Sequence, residues 1–260
     1  MNKIAQVFAE KKKVFIPFIT AGDPSLDKTE EMIYVMEKAG AGIIEIGIPF
    51  SDPIAEGIVI QAADIRALTA GCTIDKMFAM LAKVRKNTQI PLVFLTYINP
   101  IFTYGKEKFL QKCEELSISG VIVPDVPFEE KVLLKDIAKK HNVDLISLIA
   151  PASEDRIKMI AKEAEGYIYV VSSLGVTGVR QEITTDISAI VKQIREVTTT
   201  PVAVGFGIAT PDQAEIMAKC SDGAIVGSAI VKIVEKYGEN CVQPVADYVK
   251  SMVEAVHKAV

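Results

Sequence analysis

The chain alternates between short apolar runs and longer stretches with helical spacing. The runs are VFIPFIT (14–20), IIEI (43–46), PLVFLT (91–96), GVIVP (120–124), DLISLI (144–149), YIYVV (167–171), PVAVGF (201–206) and DGAIVG (222–227), eight in all. They are apolar at successive positions rather than at every second one, which is the mark of parallel strands covered on both faces. Between them lie segments such as SLDKTEEMIYVMEKAG, which opens on an N-cap serine and stops at Gly40. Eight strand–helix units are the number that closes a (β/α)8 barrel, so the expected fold is α/β, a (β/α)8 (TIM) barrel. Residues 2–10 and 240–259 read as an extra N-terminal helix and an extra C-terminal helix, the latter apolar at Val242, Val245, Val249, Met252, Val253 and Val256. A doubly wound open sheet is the competing architecture. It would usually carry a GxGxxG turn after the first strand, where this chain has TAGDPS.

Composition narrows the picture. Half of the 260 residues are apolar, 24% are charged, and no Pro, Gly or Ser-rich linker interrupts them, so residues 1–260 are expected to form one domain. A net charge of −4 argues against nucleic acid and membrane surfaces as partners. Cys72, Cys113, Cys220 and Cys241 are far apart with no CxxC pair, and the only histidines are His141 and His257. That pattern indicates neither a disulfide framework nor a metal site. No stretch approaches the ~18 apolar residues of a membrane span, and the N-terminus lacks the apolar core of a secretion signal. A cytoplasmic setting is expected.

The candidate chemistry begins at Glu45, a carboxyl inside an aliphatic run. Burying an unpaired carboxylate costs on the order of several kcal/mol, and the usual escape is a raised pKa that leaves a group able to give and take protons near neutrality. The plainer reading is a glutamate at a strand end that reaches solvent. Eleven residues on, past Pro49 and Pro53, comes Glu56, a second acid for the same cleft. In a barrel, chemistry belongs at the carboxyl ends of the strands, and Glu45, Tyr97, Asn99, Asp125, Tyr169, Phe206 and Gly207 would all stand there. Asp125 can also be read as a turn residue before a helix over 127–140. Gly205-Phe206-Gly207 and Gly227-Ser228 follow the last two strands, where backbone N–H groups and a helix N-terminus favour a phosphate, although glycines end strands everywhere. The polar segment SSLGVTGVRQEITTD (172–186) reads as a mobile lid beside that phosphate site, or as a plain loop.

These motifs resemble those of the tryptophan synthase α-subunit family along essentially the whole chain. They are PFITAGDP (17–24), IEIGIPFSDPIAEG (44–57), TYINPI (96–101), PDVP (124–127), LGVTGVR (174–180), GFGI (205–208) and GSAIVKIVE (227–235). The resemblance implies retro-aldol cleavage of indole-3-glycerol phosphate to indole and glyceraldehyde 3-phosphate, with no metal and no cofactor in this chain. It implies as partner a β subunit carrying pyridoxal phosphate, in an α2β2 heterotetramer that this chain would meet through Asp52, Pro53 and the TYINPIFTYG loop. Glu45 resembles the family's acid–base residue, and Glu56 takes the place of the second carboxylate. Indole would sit among Phe18, Ile60, Leu95, Tyr97 and Tyr169, with Asp125 also in the substrate site. The phosphate would lie on Gly178, Phe206, Gly207, Gly227 and Ser228, and Thr177 would latch the lid to the second carboxylate. The chain departs from the family pattern twice: Glu56 stands where aspartate is usual, and Ile58 where proline is usual. That departure admits a second reading, a catalytically weakened α subunit that mainly binds and activates the β subunit. A stand-alone lyase that releases free indole is the third.

Overall fold

The computed structural model describes residues 3–171, 186–205 and 207–259. Their strands are β1 (Val14–Thr20), β2 (Ile44–Gly47), β3 (Leu92–Leu95), β4 (Gly120–Ile122), β5 (Asp144–Leu145), β6 (Ser147–Ile149), β7 (Ile168–Val171), β8 (Val202–Gly205) and β9 (Gly223–Val226). All pair in parallel, in the order β5-β4-β3-β2-β1-β9-β8-β7-β6. Each of the eight apolar runs supplies a strand. The fifth run supplies two, because β5 pairs with β4 and β6 pairs with β7. Only Ile146 separates them, and its N–H still donates to the Val121 carbonyl at 3.0 Å. One bent strand therefore hands the ladder from one neighbour to the other, and this closes the sheet into a (β/α)8 barrel.

The helices are α1 (Lys3–Glu10), α2 (Leu26–Lys38), α3 (Ile58–Thr69), α4 (Ile74–Val84), α5 (Ile98–Tyr104), α6 (Lys106–Glu115), α7 (Val132–Lys140), α8 (Glu154–Lys162), α9 (Ile187–Arg195), α10 (Pro211–Cys220), α11 (Ser228–Tyr237) and α12 (Val242–Lys258). Their ends follow local chemistry. Ser25 caps α2 by accepting from the Lys28 N–H, and Gly40 after it takes a left-handed φ of 104°. The helix expected over 127–140 is shorter than its sequence pattern: Phe128–Glu130 form a 3-10 turn, and the α-helix begins at Val132. The two extra helices are present as α1 and α12, the latter packed across α2, α10 and α11.

Apolar side chains sort into three groups. The largest lies between sheet and helices and includes Met32, Phe94, Phe109, Val204 and Val249. A second fills the inside of the ring, with Ile16, Ile43, Val93, Ile122, Tyr167 and Ile225. Ile4 of α1 belongs to this inner group, so α1 plugs the end of the barrel where the strands begin. The third group, Phe18, Ile60, Ala63 and Val231, stands at the opposite end, the carboxyl mouth. Ile4→Ala is expected to open a cavity in the plugged end and to lower unfolding free energy by about 2–5 kcal/mol. Urea denaturation followed by circular dichroism checks this, and an unchanged midpoint would refute the plug.

Candidate active site

Glu45 lies inside the barrel. The ladder sets its Cα opposite Phe18 on one side and Val93 on the other, and in parallel strands such partners face the same way. The residue is 1% exposed, so it does not reach solvent at the strand end. The Tyr167 hydroxyl donates to its Oε1 at 2.5 Å. Burial pushes the carboxyl up to about 8, and the Tyr167 hydrogen bond opposes this only in part. Near neutrality Glu45 is thus chiefly a neutral acid, able to give a proton and to take one back. Tyr169, also buried, has its phenol raised by desolvation and then by the charge of Glu45.

Two strand glycines make room for the aromatic rings of this end. A Cβ on Gly47 would fall 2.6 Å from Cζ of Phe18, and one on Gly205 would fall 2.4 Å from the Tyr169 hydroxyl oxygen. No other residue fits at either place without moving a ring. Phe18 packs with Ile60, Ala63, Val231 and Leu95, while Tyr169 joins the inner group, which Leu95 also touches. Tyr97, at the start of α5, lies against Phe50 with ring centroids 5.3 Å apart.

Glu56 ends the loop that leads into α3 and is 7% exposed. The Tyr97 hydroxyl accepts the Ala55 N–H at 3.0 Å, which leaves its own proton for the neighbouring Glu56 carboxyl. Asp64 is the other neighbour. It is 4% exposed and shares the buried face of α3 with Ile60, Ala63 and Ala67. Desolvation, followed by the charge of Glu56, pushes Asp64 up to about 9, while the Phe50 backbone N–H pulls the other way. Desolvation also raises Glu56, against hydrogen bonding from Asp64 and Tyr97.

Where a phosphate is expected, Gly207 is buried with φ of 81° directly after β8. Gly227 precedes α11 and Ser228 opens it, with no side chain capping the helix N-terminus. A Cβ on Gly227 would lie 3.1 Å from Cδ1 of Phe18, so this helix end borders the apolar mouth. Asp125 uses both carboxylate oxygens on the Ile98 N–H, at 3.0 and 3.3 Å, and so holds the start of α5. Thr177, Gly178, Phe206 and the segment expected to form a lid lie outside the described residues, apart from Asp186, which caps α9 through the Ala189 N–H.

Sequence reasoning passed over Tyr167, Asp64, Ala63 and Val231. Tyr167 was signalled by its spacing: in Tyr167-Ile168-Tyr169 the two tyrosines share a face, which places one below the other inside the barrel. Asp64 was signalled by lying four residues after Ile60 and one after Ala63, an acid on the apolar face of a helix.

Comparison with known proteins agrees with this geometry. A family profile described as tryptophan synthase alpha chain matches residues 4–259. The tryptophan synthase alpha chain of Lacticaseibacillus casei is 46% identical over 98% of this chain and 96% of its own, and that of Lactiplantibacillus plantarum is 45% identical over 98% and 97%. Among solved structures, tryptophan synthase subunit alpha of Legionella pneumophila superposes with a TM-score of 0.89 at 36% identity, with 99% of both chains covered. A Pyrococcus furiosus chain from work on mutual activation of the tryptophan synthase α2β2 complex gives 0.86 at 31% identity, over 94% of this chain and 99% of that one. A closed barrel with a buried acid at its mouth, matched over nearly its whole length by these relatives, belongs to the tryptophan synthase alpha chain family.

Proposed function

We propose that Glu45 and Glu56 carry the family's reaction in this chain, the retro-aldol cleavage of indole-3-glycerol phosphate to indole and glyceraldehyde 3-phosphate. The observation that supports this most directly is the burial of Glu45 at the mouth beside Phe18, which pushes its carboxyl up to about 8. The reaction needs a proton on indole C3, which makes the ring nitrogen cationic. Glu45 gives that proton. Its carboxylate then takes the proton of the adjacent hydroxyl as the carbonyl forms, the bond to C3 breaks, and the electron pair returns to the ring. Glu45 ends the cycle protonated, as it began. Glu56, as carboxylate, accepts the ring N–H and stabilises the positive charge while it exists.

Phe18, Ile60, Leu95, Tyr97 and Tyr169 form the indole pocket in this reading, with Asp125 positioning the α5 edge of it. The phosphate lies on Gly178, Phe206, Gly207, Gly227 and Ser228, where the uncapped N-terminus of α11 favours an anion, and Thr177 latches the lid. Residues 1–260 work as one domain. No step calls for a cofactor in this chain, and pyridoxal phosphate belongs to a β subunit, the partner in an α2β2 assembly. Asp52 and Pro53 lie in the loop that faces this partner, and exposed apolar side chains mark the surface: Ile54 is 74% exposed, Ile58 82%, and Phe102 46%. No helix among the described residues is long and apolar enough to cross a membrane, and we place the protein in the cytoplasm.

Four outcomes test this reading. Glu45→Gln is expected to lower turnover by ~100-fold or more, measured by coupling glyceraldehyde 3-phosphate to a dehydrogenase; near-normal turnover would defeat the role. In the wild type, kcat/KM should fall as pH rises through about 8, because Glu45 starts the cycle protonated and loses its proton there. Glu56→Asp separates a working enzyme from a weakened one: indole release is expected to drop, whereas a large rise would establish the regulatory reading. Finally, Phe102→Asp should weaken binding of a β subunit about 10-fold or more by calorimetry, with cleavage by the isolated chain little changed.

A further inference from the structure

We propose that Asp64 is a positioning residue for Glu56: its carboxyl keeps a proton, donates it in a hydrogen bond to Glu56, and so holds the longer acid as an anion aimed at the ring nitrogen. This rests on the reading of Glu56 given above and explains how a glutamate can serve at that place. Glutamate carries its carboxylate about 1.5 Å farther out than aspartate and has an additional rotatable bond. Without a tether the group would sample positions that miss the substrate, and a misplacement of ~1 Å costs about 100-fold in rate.

The placement of Asp64 supports this role. It shares the face of α3 that carries Ile60 and Ala63 into the mouth, and α3 begins two residues after Glu56. Its charged surroundings are anionic, with Glu56 against it and Asp23 nearby. The one cation of α3, Arg66, is committed elsewhere: Nε and Nη2 bind Asp23 at 2.8 Å each, and Nη1 reaches Glu235 at 3.2 Å. Oε2 of Glu56 is buried and receives no N–H or hydroxyl among the described residues. The Glu56 carboxyl has two hydrogen-bonding neighbours, the Tyr97 hydroxyl and the Asp64 carboxyl, and two carboxyls hydrogen-bond only when one of them holds a proton. We place the proton on Asp64, which accepts the Phe50 N–H with one oxygen and can carry the proton on the other, while Glu56 has the Tyr97 hydroxyl as a donor besides. Glu56 is left as the anion, with Tyr97, itself oriented by the Ala55 N–H, on its other side.

Asp64→Asn and Asp64→Ala in the full chain, assayed with a β subunit, test the tether. Asparagine keeps both bonds, its amide donating to Glu56 and its carbonyl accepting from Phe50; alanine keeps neither. Thermal midpoints and near-ultraviolet dichroism report whether each variant folds. Asp64→Asn is expected to hold kcat within about 3-fold, and Asp64→Ala to lower it about 10-fold or more. In a Glu56→Ala background Asp64→Ala should cost nothing further, because the group it positions is gone. Equal losses in both backgrounds, or an asparagine variant as poor as alanine, would overturn the proposal and leave Asp64 a structural residue. A readout independent of turnover is a carbon-13 titration of glutamate Cδ, with the Glu56 signal assigned by its loss in Glu56→Ala. Glu56 should ionise at lower pH in the wild type and in Asp64→Asn than in Asp64→Ala, and identical titrations would overturn the tether. If Glu56→Ala alone leaves turnover unchanged while the titrations differ, the hydrogen bond stands and the catalytic reading of Glu56 is what fails.

Discussion

An ionised carboxylate cannot sit comfortably inside a closed ring of apolar side chains, and Glu45 is inside that ring. The β1–β2–β3 register leaves it no choice of face, since Phe18, Glu45 and Val93 are ladder partners. Among the described residues it meets no cation, only the Tyr167 hydroxyl. Neutralisation is then the least costly state, and a neutral carboxyl at the barrel mouth is what a proton transfer to carbon needs. Much of the remaining architecture keeps that environment dry: Ile4 and α1 close the far end, and the inner aliphatic group fills the space between.

Buried acids elsewhere in the molecule meet the same cost in different ways. Asp23 is ionically paired, with both oxygens on the Arg66 guanidinium. Asp64, two positions before Arg66, has Glu56 for a neighbour instead, and the proton proposed on Asp64 lets the two carboxyls stay close. Three solutions occur within one end of the barrel. Each has a different consequence: the ion pair joins α3 to the turn after β1, the proposed proton between Asp64 and Glu56 holds two acids side by side, and Glu45, with only the Tyr167 hydroxyl on it, is left near neutral.

Charged groups away from the mouth hold elements together. Arg85 gives its guanidinium to the carbonyls of Ile90, Leu116 and Ser117, tying the segments that enter β3 and β4, and burial pushes it down to about 10. His141, one of two histidines in the sequence, lies between Glu107 and Glu114, and these raise its pKa. It pins the end of α7 to α6. Asp125 belongs partly to this class as well, since a residue at the catalytic end spends both oxygens on the start of α5. Being at the mouth of a barrel does not by itself make a group reactive.

The sequence determined the eight runs that supply the strands, the caps of α2, the two extra helices and the anomaly at Glu45, because each follows from local rules: periodicity, turn chemistry, and the cost of a charge in an apolar run. Ordered motifs carried the family in the same way. Tertiary structure decided the rest. Period-two spacing says that Tyr167 and Tyr169 share a face, but only ring closure brings Tyr167 to Glu45 across 122 positions of chain. The amphipathic pattern of α3 marks Asp64 as facing inward without naming Glu56 as its neighbour. The division of the fifth strand at Ile146 leaves no mark in an unbroken apolar run, since it arises from the demands of two different partners, β4 and β7. Which groups meet inside a barrel depends on the register of strands far apart in the chain, and register is a property of the closed sheet as a whole.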